Sequence, residues 1–402
     1  MRPVRSATVT EAQGLPGRRR AARLGLAALL AAGCAPASGP PPPGQAAAAA
    51  LLGRRAAALR ERDPAAWSAT STGGTGQDSL WARLAGVPLA GWAYRVTGVR
   101  AGDATATVEA TLRYRLRGED PAPATARRLL GLVRHEGRWR VRSEEAAPGA
   151  AQLLWDQGPV RARRGSRGLV LGTGSAGELA AFARLAERAV PVADEAWGGD
   201  WPRRVVVLVP GSLAGTAALL GGEPDAYRGV AAVTTGSPEP GTPADRIVVN
   251  PEAYRELDAR GKQFVLTHET VHVATRSATG PATPLWLSEG FADLAAHRAA
   301  PRPLTAAAPA LTAAVARGEV PRALPDDAAF AFDGDSGALD RAYEGGWLAC
   351  RLLADRWGEE RLRAFYRAAG TRGGQAAFRE VLGTTGAEFT AAWRAYLREE
   401  LG

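Results

Sequence analysis

Residues 267–275, THETVHVAT, hold two of the chain's four histidines, His268 and His272, four positions apart, with Glu269 directly after the first. On an α-helix that spacing puts both imidazoles on one face, one turn apart and about 40° apart in azimuth. Two ligands of a single zinc ion need this placement. Glu269 projects beside them, close enough to take a proton from an attacking water without ligating the metal. By composition alone, H-E-x-x-H arises by accident in a chain with four histidines on the order of a few times in a thousand.

The flanks GKQFVLTHETVHVATR place Phe264, Val265, Val271 and Thr275 near the histidine stripe, which predicts a buried helix with its site facing inward. Its β-branched residues lower helix propensity, so tertiary packing must hold it. Beyond the Gly/Pro loop TRSATGPATP comes LWLSEGFADLAAH, with Thr283 as the expected N-cap and Pro284 at the first helical position. Glu289 and Asp293 stand one turn apart there, and Trp286, Gly290 and Ala292 would let this helix pack closely against the first. Such a pair offers one carboxylate to the metal and a second to orient a ligand. A metzincin would continue from H-E-x-x-H to a glycine and a third histidine, but Ala274, Thr275 and Ala278 stand there instead.

H-E-x-x-H followed after a loop by E-G-x-x-D resembles the gluzincin zinc metallopeptidases, in particular the peptidase-MA-like group. The resemblance covers roughly residues 168–401. It implies His268, His272 and Glu289 as zinc ligands, Glu269 as general base, and Asp293 as the hydrogen-bond acceptor that fixes a ligand histidine, His268. Further on, DRAYEGGWLACRLLADRWG is similar to the Y-E-K-G helix of the aminopeptidase branch, which implies that Tyr343 steadies the oxyanion. Gly345 stands where that motif has lysine, and no G-A-M-E-N segment is present. Aminopeptidase specificity is therefore not implied. GVAAVTTG occupies the corresponding place before the helix and offers at most an edge strand to an extended peptide.

The fold class expected is α+β. Residues 46–147 read as a helix followed by alternating strands such as ATATVEATLRYRLRG, the last two joined around HEGRW. This resembles the NTF2-like cone, a helix on a curved antiparallel sheet. Residues 148–167 read as a connection, and 168–402 as the metallopeptidase domain. That domain should begin with a small sheet (GLVLGTG, RRVVVLVP, GVAAVTTG, DRIVVNP) and a helix over 176–197, and continue helical after Asn250.

Residues 1–34 have the form of an export signal: basic GRRRAAR, apolar LGLAALLAAG, then Cys34. The cysteine after LLAAG resembles the bacterial lipoprotein signal, with Ala31 where leucine is usual, and implies lipidation at Cys34. Residues 35–45 form a Pro/Gly tether. The apolar run is too short to span a bilayer. Cys34 and Cys350 are the only cysteines, so there is no disulfide framework, and Cys350 reads as a buried core thiol. His135 reads as an exposed turn residue and His297 as a surface or packing residue.

The net charge is +9, with a single lysine, Lys262, among 50 basic residues. The basic runs GRRRAAR and RARRGSR are short, separate and free of interleaved aromatics, so nucleic acid is not an expected partner. The expectation is an exported peptidase with one Zn2+, held on the outer face of the cell membrane as a lipoprotein or secreted, and acting on peptides or proteins of the cell envelope. The competing expectation is a noncatalytic envelope lipoprotein that binds a ligand or partner through its N-terminal cone. A closed structural zinc site would favour four Cys or His ligands, and no cysteine stands nearby.

Overall fold

The protein was analysed as a computed structural model, which describes residues 5–10, 43–76, 79–237, 239, 241–331 and 336–402. Cys34, nearly all of the expected leader and most of the tether lie outside the described residues. Of the leader, only β1 (Arg5–Thr10) is described. No described helix is long and apolar enough to cross a membrane.

The chain builds two sheets and a mainly helical C-terminal half. First come α1 (Gln45–Glu61), α2 (Pro64–Thr70) and a single turn, α3 (Leu80–Arg83). An antiparallel sheet follows, formed in sequence order by β2 (Leu89–Ala101), β3 (Thr105–Leu116), β4 (Ala124–His135) and β5 (Arg138–Ala146). Its last hairpin closes through Glu136 and Gly137 at φ 51° and 72°, a left-handed pair that suits a two-residue turn between right-twisted strands. Alternation decides the buried face: Ala106, Val108, Ala110, Leu112 and Leu116 of β3 point inward, whereas Glu109, Arg113 and Arg115 are exposed. One end of that face packs on Leu51 and Leu52 of α1. At the other end Trp92, Tyr114 and Trp155 form an aromatic cluster, with ring centroids 5.0 to 6.4 Å apart.

The second sheet contains β6 (Arg161–Gly165), β7 (Gly168–Gly172), β8 (Val205–Val209), β9 (Val230–Gly236) and β10 (Arg246–Val249). Its order is β9-β10-β8-β7-β6, with β1 paired parallel outside β9. Strands β7, β8 and β10 run parallel, while β6 and β9 are antiparallel to their neighbours. α4 (Ala176–Trp197) crosses between β7 and β8, and α5 (Leu213–Leu220) follows β8. The run VVVLV of β8 is apolar at every position because both faces are covered: Val205, Val207 and Val209 meet the helical core, and Val206 packs toward the first sheet with Leu169 and Leu171.

The segment expected to be a connection, 148–167, packs against the first sheet and adds a strand to the second. Trp155 and Val160 are buried between them, and β6 forms a hairpin with β7, so the second sheet begins at Arg161 rather than Gly168. Asp120, in the β3–β4 loop, is buried and accepts from Arg246 Nη2 at 2.7 and 2.9 Å and from the backbone N–H of Leu116 at 2.7 Å. Glu119 beside it pairs with Arg164 and Arg204. Three of the chain's many arginines thus serve an internal joint.

Among the described residues, every element after β10 is helical: α6 (Pro251–Arg255), α7 (Ala259–Thr275), α8 (Leu285–Ala299), α9 (Leu304–Ala307), α10 (Pro309–Ala316), α11 (Ser336–Trp357), α12 (Glu359–Arg372), α13 (Gly374–Leu382) and α14 (Gly386–Leu401). Asp258 caps α7 by accepting from Gly261 N–H at 2.7 Å. The start of α8 differs from expectation. Pro284 is the cap residue, with extended backbone, and Thr283 instead accepts from Gly280 N–H within the preceding loop. The first free N–H of the helix, that of Leu285, is taken by Asp327 Oδ1 at 2.9 Å.

Candidate metal centre

α7 and α8 bring four of the expected residues together in the interior. His268, Glu269, His272 and Glu289 are all at most 3% exposed. His268 Nε2 lies 2.9 Å from His272 Nε2 and 3.2 Å from Glu289 Oε2, and His272 Nε2 lies 3.5 Å from Glu289 Oε1. Tetrahedral ligands at 2.0–2.1 Å from zinc stand about 3.3 Å from one another, and these separations bracket that value.

Hydrogen bonding around His268 favours the same reading. Its Nδ1 lies 2.7 Å from Asp293 Oδ1, so the proton on that side points at a carboxylate. In the neutral ring Nε2 then carries a lone pair. It faces another imidazole nitrogen and a carboxylate, an arrangement that repels unless a proton or a metal cation sits among them. Burial alone would lower the His268 pKa, but the Asp293 and Glu289 carboxylates outweigh it and hold it well above its usual value. Glu289 is pushed up by burial and pulled down further by His272 and His268, to about 2. The cluster therefore attracts positive charge to its centre.

Glu269 is fully buried, and burial raises its pKa. Thr234 of β9 donates to its Oε2 at 2.5 Å, while Oε1 is buried without a partner. Nothing in the sequence singled out Thr234: it is one of two adjacent threonines in an otherwise apolar strand, and only the pairing of sheet and helix gives it a partner.

Two further contacts set the helices. Expected close packing of α8 on α7 through Gly290 is not what the structure has. Gly290 faces α11, where an added Cβ would lie 2.2 Å from Gly346 O, and a Cβ on Gly346 would in turn lie 2.7 Å from Trp286 O. Trp286 stacks over Phe378 and Phe389 of the C-terminal helices. The second contact is the buried hydroxyl of Tyr366, on α12, which meets Thr279 at 2.7 Å, Ser288 at 3.3 Å and Thr275 at 3.4 Å. It ties the end of α7 to the residue before Glu289. The sequence shows Tyr366 only as one core position on an amphipathic helix.

Tyr343 sits half-buried on α11, its ring edge-on to Phe330 at 5.2 Å. His297 is a packing residue, stacked on Trp347 at 3.9 Å with Phe264 at 4.8 Å, and His135 is exposed at the β4–β5 turn. Cys350 is buried, which pushes its thiol pKa well up. The β9 edge expected to be open to an extended peptide is paired with Arg5–Thr10.

His268, His272 and Glu289 form a group able to hold one metal ion, their ligand atoms all within 4.8 Å of one another. Two imidazoles and a carboxylate are a donor set that suits a zinc ion. No known protein-family model matches the chain, and no curated protein matches it in sequence.

Proposed function

We propose that the protein is a zinc metallopeptidase of gluzincin type, with His268, His272 and Glu289 as ligands. The observation that carries this reading is the convergence of His268 Nε2, His272 Nε2 and a Glu289 carboxylate at 2.9 to 3.5 Å beside a buried glutamate with one unpartnered oxygen. Zinc supplies Lewis acidity, polarising a carbonyl and acidifying water. Glu269 takes the proton of the attacking water on Oε1 and delivers it to the leaving amine. Thr234 keeps the other oxygen occupied, and Asp293 holds His268 in the tautomer that presents Nε2. Tyr343 is the proposed oxyanion donor.

In this reading the N-terminal unit is an NTF2-like cone, and the chain is exported, anchored through Cys34, and acts on envelope peptides or proteins. Arg128 of the cone pairs with Asp156 of the following segment at 2.6 and 2.8 Å, and within the cone Tyr94 donates to Glu144 at 2.8 to 2.9 Å.

The test is zinc content per purified chain, with cleavage of a peptide library, for the native chain, His272→Ala and Glu269→Gln. One zinc is expected in the native and Glu269→Gln chains and none in His272→Ala, with hydrolysis in the native chain only. A native chain that binds no zinc after supplementation sinks the proposal. Full activity of Glu269→Gln removes that residue as the base.

A further inference from the structure

We infer that Arg276 selects the substrate: its guanidinium receives the C-terminal carboxylate of a peptide, about two residues beyond the bond that is cut. The inference rests on the metallopeptidase reading for what is cut, and on its own geometry for what is bound.

Arg276 follows α7 directly and keeps helical backbone, φ −47° and ψ −48°, so the phase of the helix runs through it. At about 100° per residue, and with Glu269 as origin, His268 falls near −100°, His272 near −60° and Arg276 near −20°. Arg276 thus lies between His272 and Glu269 in azimuth, one turn beyond His272, on the face that carries the site. It is 7% exposed. Its Nε donates to Asp245 Oδ2 at 2.6 Å, and its Nη2 is buried with no partner.

A buried guanidinium N–H left unpaired is costly. Arg140 and Arg394 also leave a buried Nε without a hydrogen bond, but neither lies on α7 or its extension. Among the described residues of this helix and its extension, the two buried side-chain atoms without a partner are Glu269 Oε1 and Arg276 Nη2. One is an acceptor at the proposed site of proton transfer, and the other is a donor two turns away.

The neighbouring strand follows the same course. Thr234 of β9 stands at the level of Glu269, and Gly236, two residues on, stands beside Asp245, whose Oδ1 lies 1.9 Å from where a Cβ on Gly236 would sit. Glycine there makes room for the carboxylate that orients Arg276. Arg246, next in sequence, turns the other way and pairs with Asp120, so it does not compete for Asp245 as its main partner.

The axial rise from His272 to Arg276 is about 6 Å, and an extended peptide advances about 3.3 Å per residue. A group gripped by Arg276 therefore sits about two residues from the metal-ligand cluster. Guanidinium donors match a planar carboxylate better than a single carbonyl oxygen, and the charge strengthens the contact.

Binding is measured calorimetrically on the full chain carrying Glu269→Gln, loaded with zinc, using N-acetyl-Phe-Ala-Ala as the free acid and as its C-terminal amide. The acid should bind at least about tenfold tighter than the amide. That difference should vanish on adding Arg276→Gln and return in part with Arg276→Lys. Zinc is assayed in the same samples. Equal affinity for acid and amide, or no binding of either, with zinc present overturns the role of Arg276 alone. A tenfold preference for the acid in a chain that takes up no zinc leaves the carboxylate site standing and removes the metallopeptidase reading. The acid–amide comparison needs no substitution at Arg276, so it stands even if that variant fails to fold.

Discussion

The Thr234 hydroxyl donates a 2.5 Å hydrogen bond to Glu269 Oε2 across 35 positions of sequence, and both residues are fully buried. The bond fixes one carboxylate oxygen against the sheet and leaves the other facing inward without a partner. Thr234→Val removes the hydroxyl at nearly constant volume. Zinc content should stay at the native value while the rate of peptide hydrolysis falls about 10- to 100-fold, and Thr234→Ser should recover most of it. An unchanged rate in Thr234→Val would show that Glu269 needs no such hold.

His268 and Asp293 are joined by a 2.7 Å contact through Nδ1. Asp293→Asn keeps the shape and removes the charge that orients the ring. Zinc affinity, read by competition with a chromophoric chelator, should weaken about 10- to 100-fold, with the far-UV circular dichroism of the fold retained. Native affinity in this variant would argue that packing alone orients His268.

Gly290 sits where α8 and α11 touch, and a methyl group there would lie 2.2 Å from the Gly346 carbonyl oxygen. Backbone on both sides leaves nothing flexible to give way. Gly290→Ala should therefore cost about 1–3 kcal/mol in urea unfolding, even though alanine favours a helix. A neutral or stabilising effect would mean that the two helices can separate freely.

Glu344 is buried on α11 and accepts from the backbone N–H groups of Ala310 and Leu311, at the start of α10. Burial raises its pKa from 4.5 to about 7, the two N–H bonds opposing, with Asp340 adding to the rise and Arg341 reducing it. Because the folded state holds this proton more tightly than the unfolded chain, its contribution is complete below the unfolded pKa. It is lost as pH rises through about 7. Thermal stability should therefore fall between pH 5 and 8, and Glu344→Gln should flatten that slope. An identical slope in the variant would place the titrating group elsewhere.

Much of the local structure was legible. The helix over Ala176–Trp197 and the strands within GLVLGTG, RRVVVLVP, GVAAVTTG and DRIVVNP all lie where period and composition put them. So do the two site helices, because a four-residue spacing has one geometric meaning on a helix. Errors arose where a residue's partner lies far along the chain. Thr283 looks like a cap, but Asp327 supplies the acceptor; Gly290 looks like an α7 contact, but α11 takes it.

The sequence by itself determined which side chains share a helix face: His268 with His272, and Glu289 with Asp293, each one turn apart. Tertiary structure alone decided that the two faces meet, that His268 Nδ1 finds Asp293, that Thr234 reaches Glu269, and that Asp245 orients Arg276. The reason is physical. Backbone periodicity is set within a few residues, whereas a buried hydrogen bond between distant segments depends on how sheet and helices pack, which no local pattern encodes.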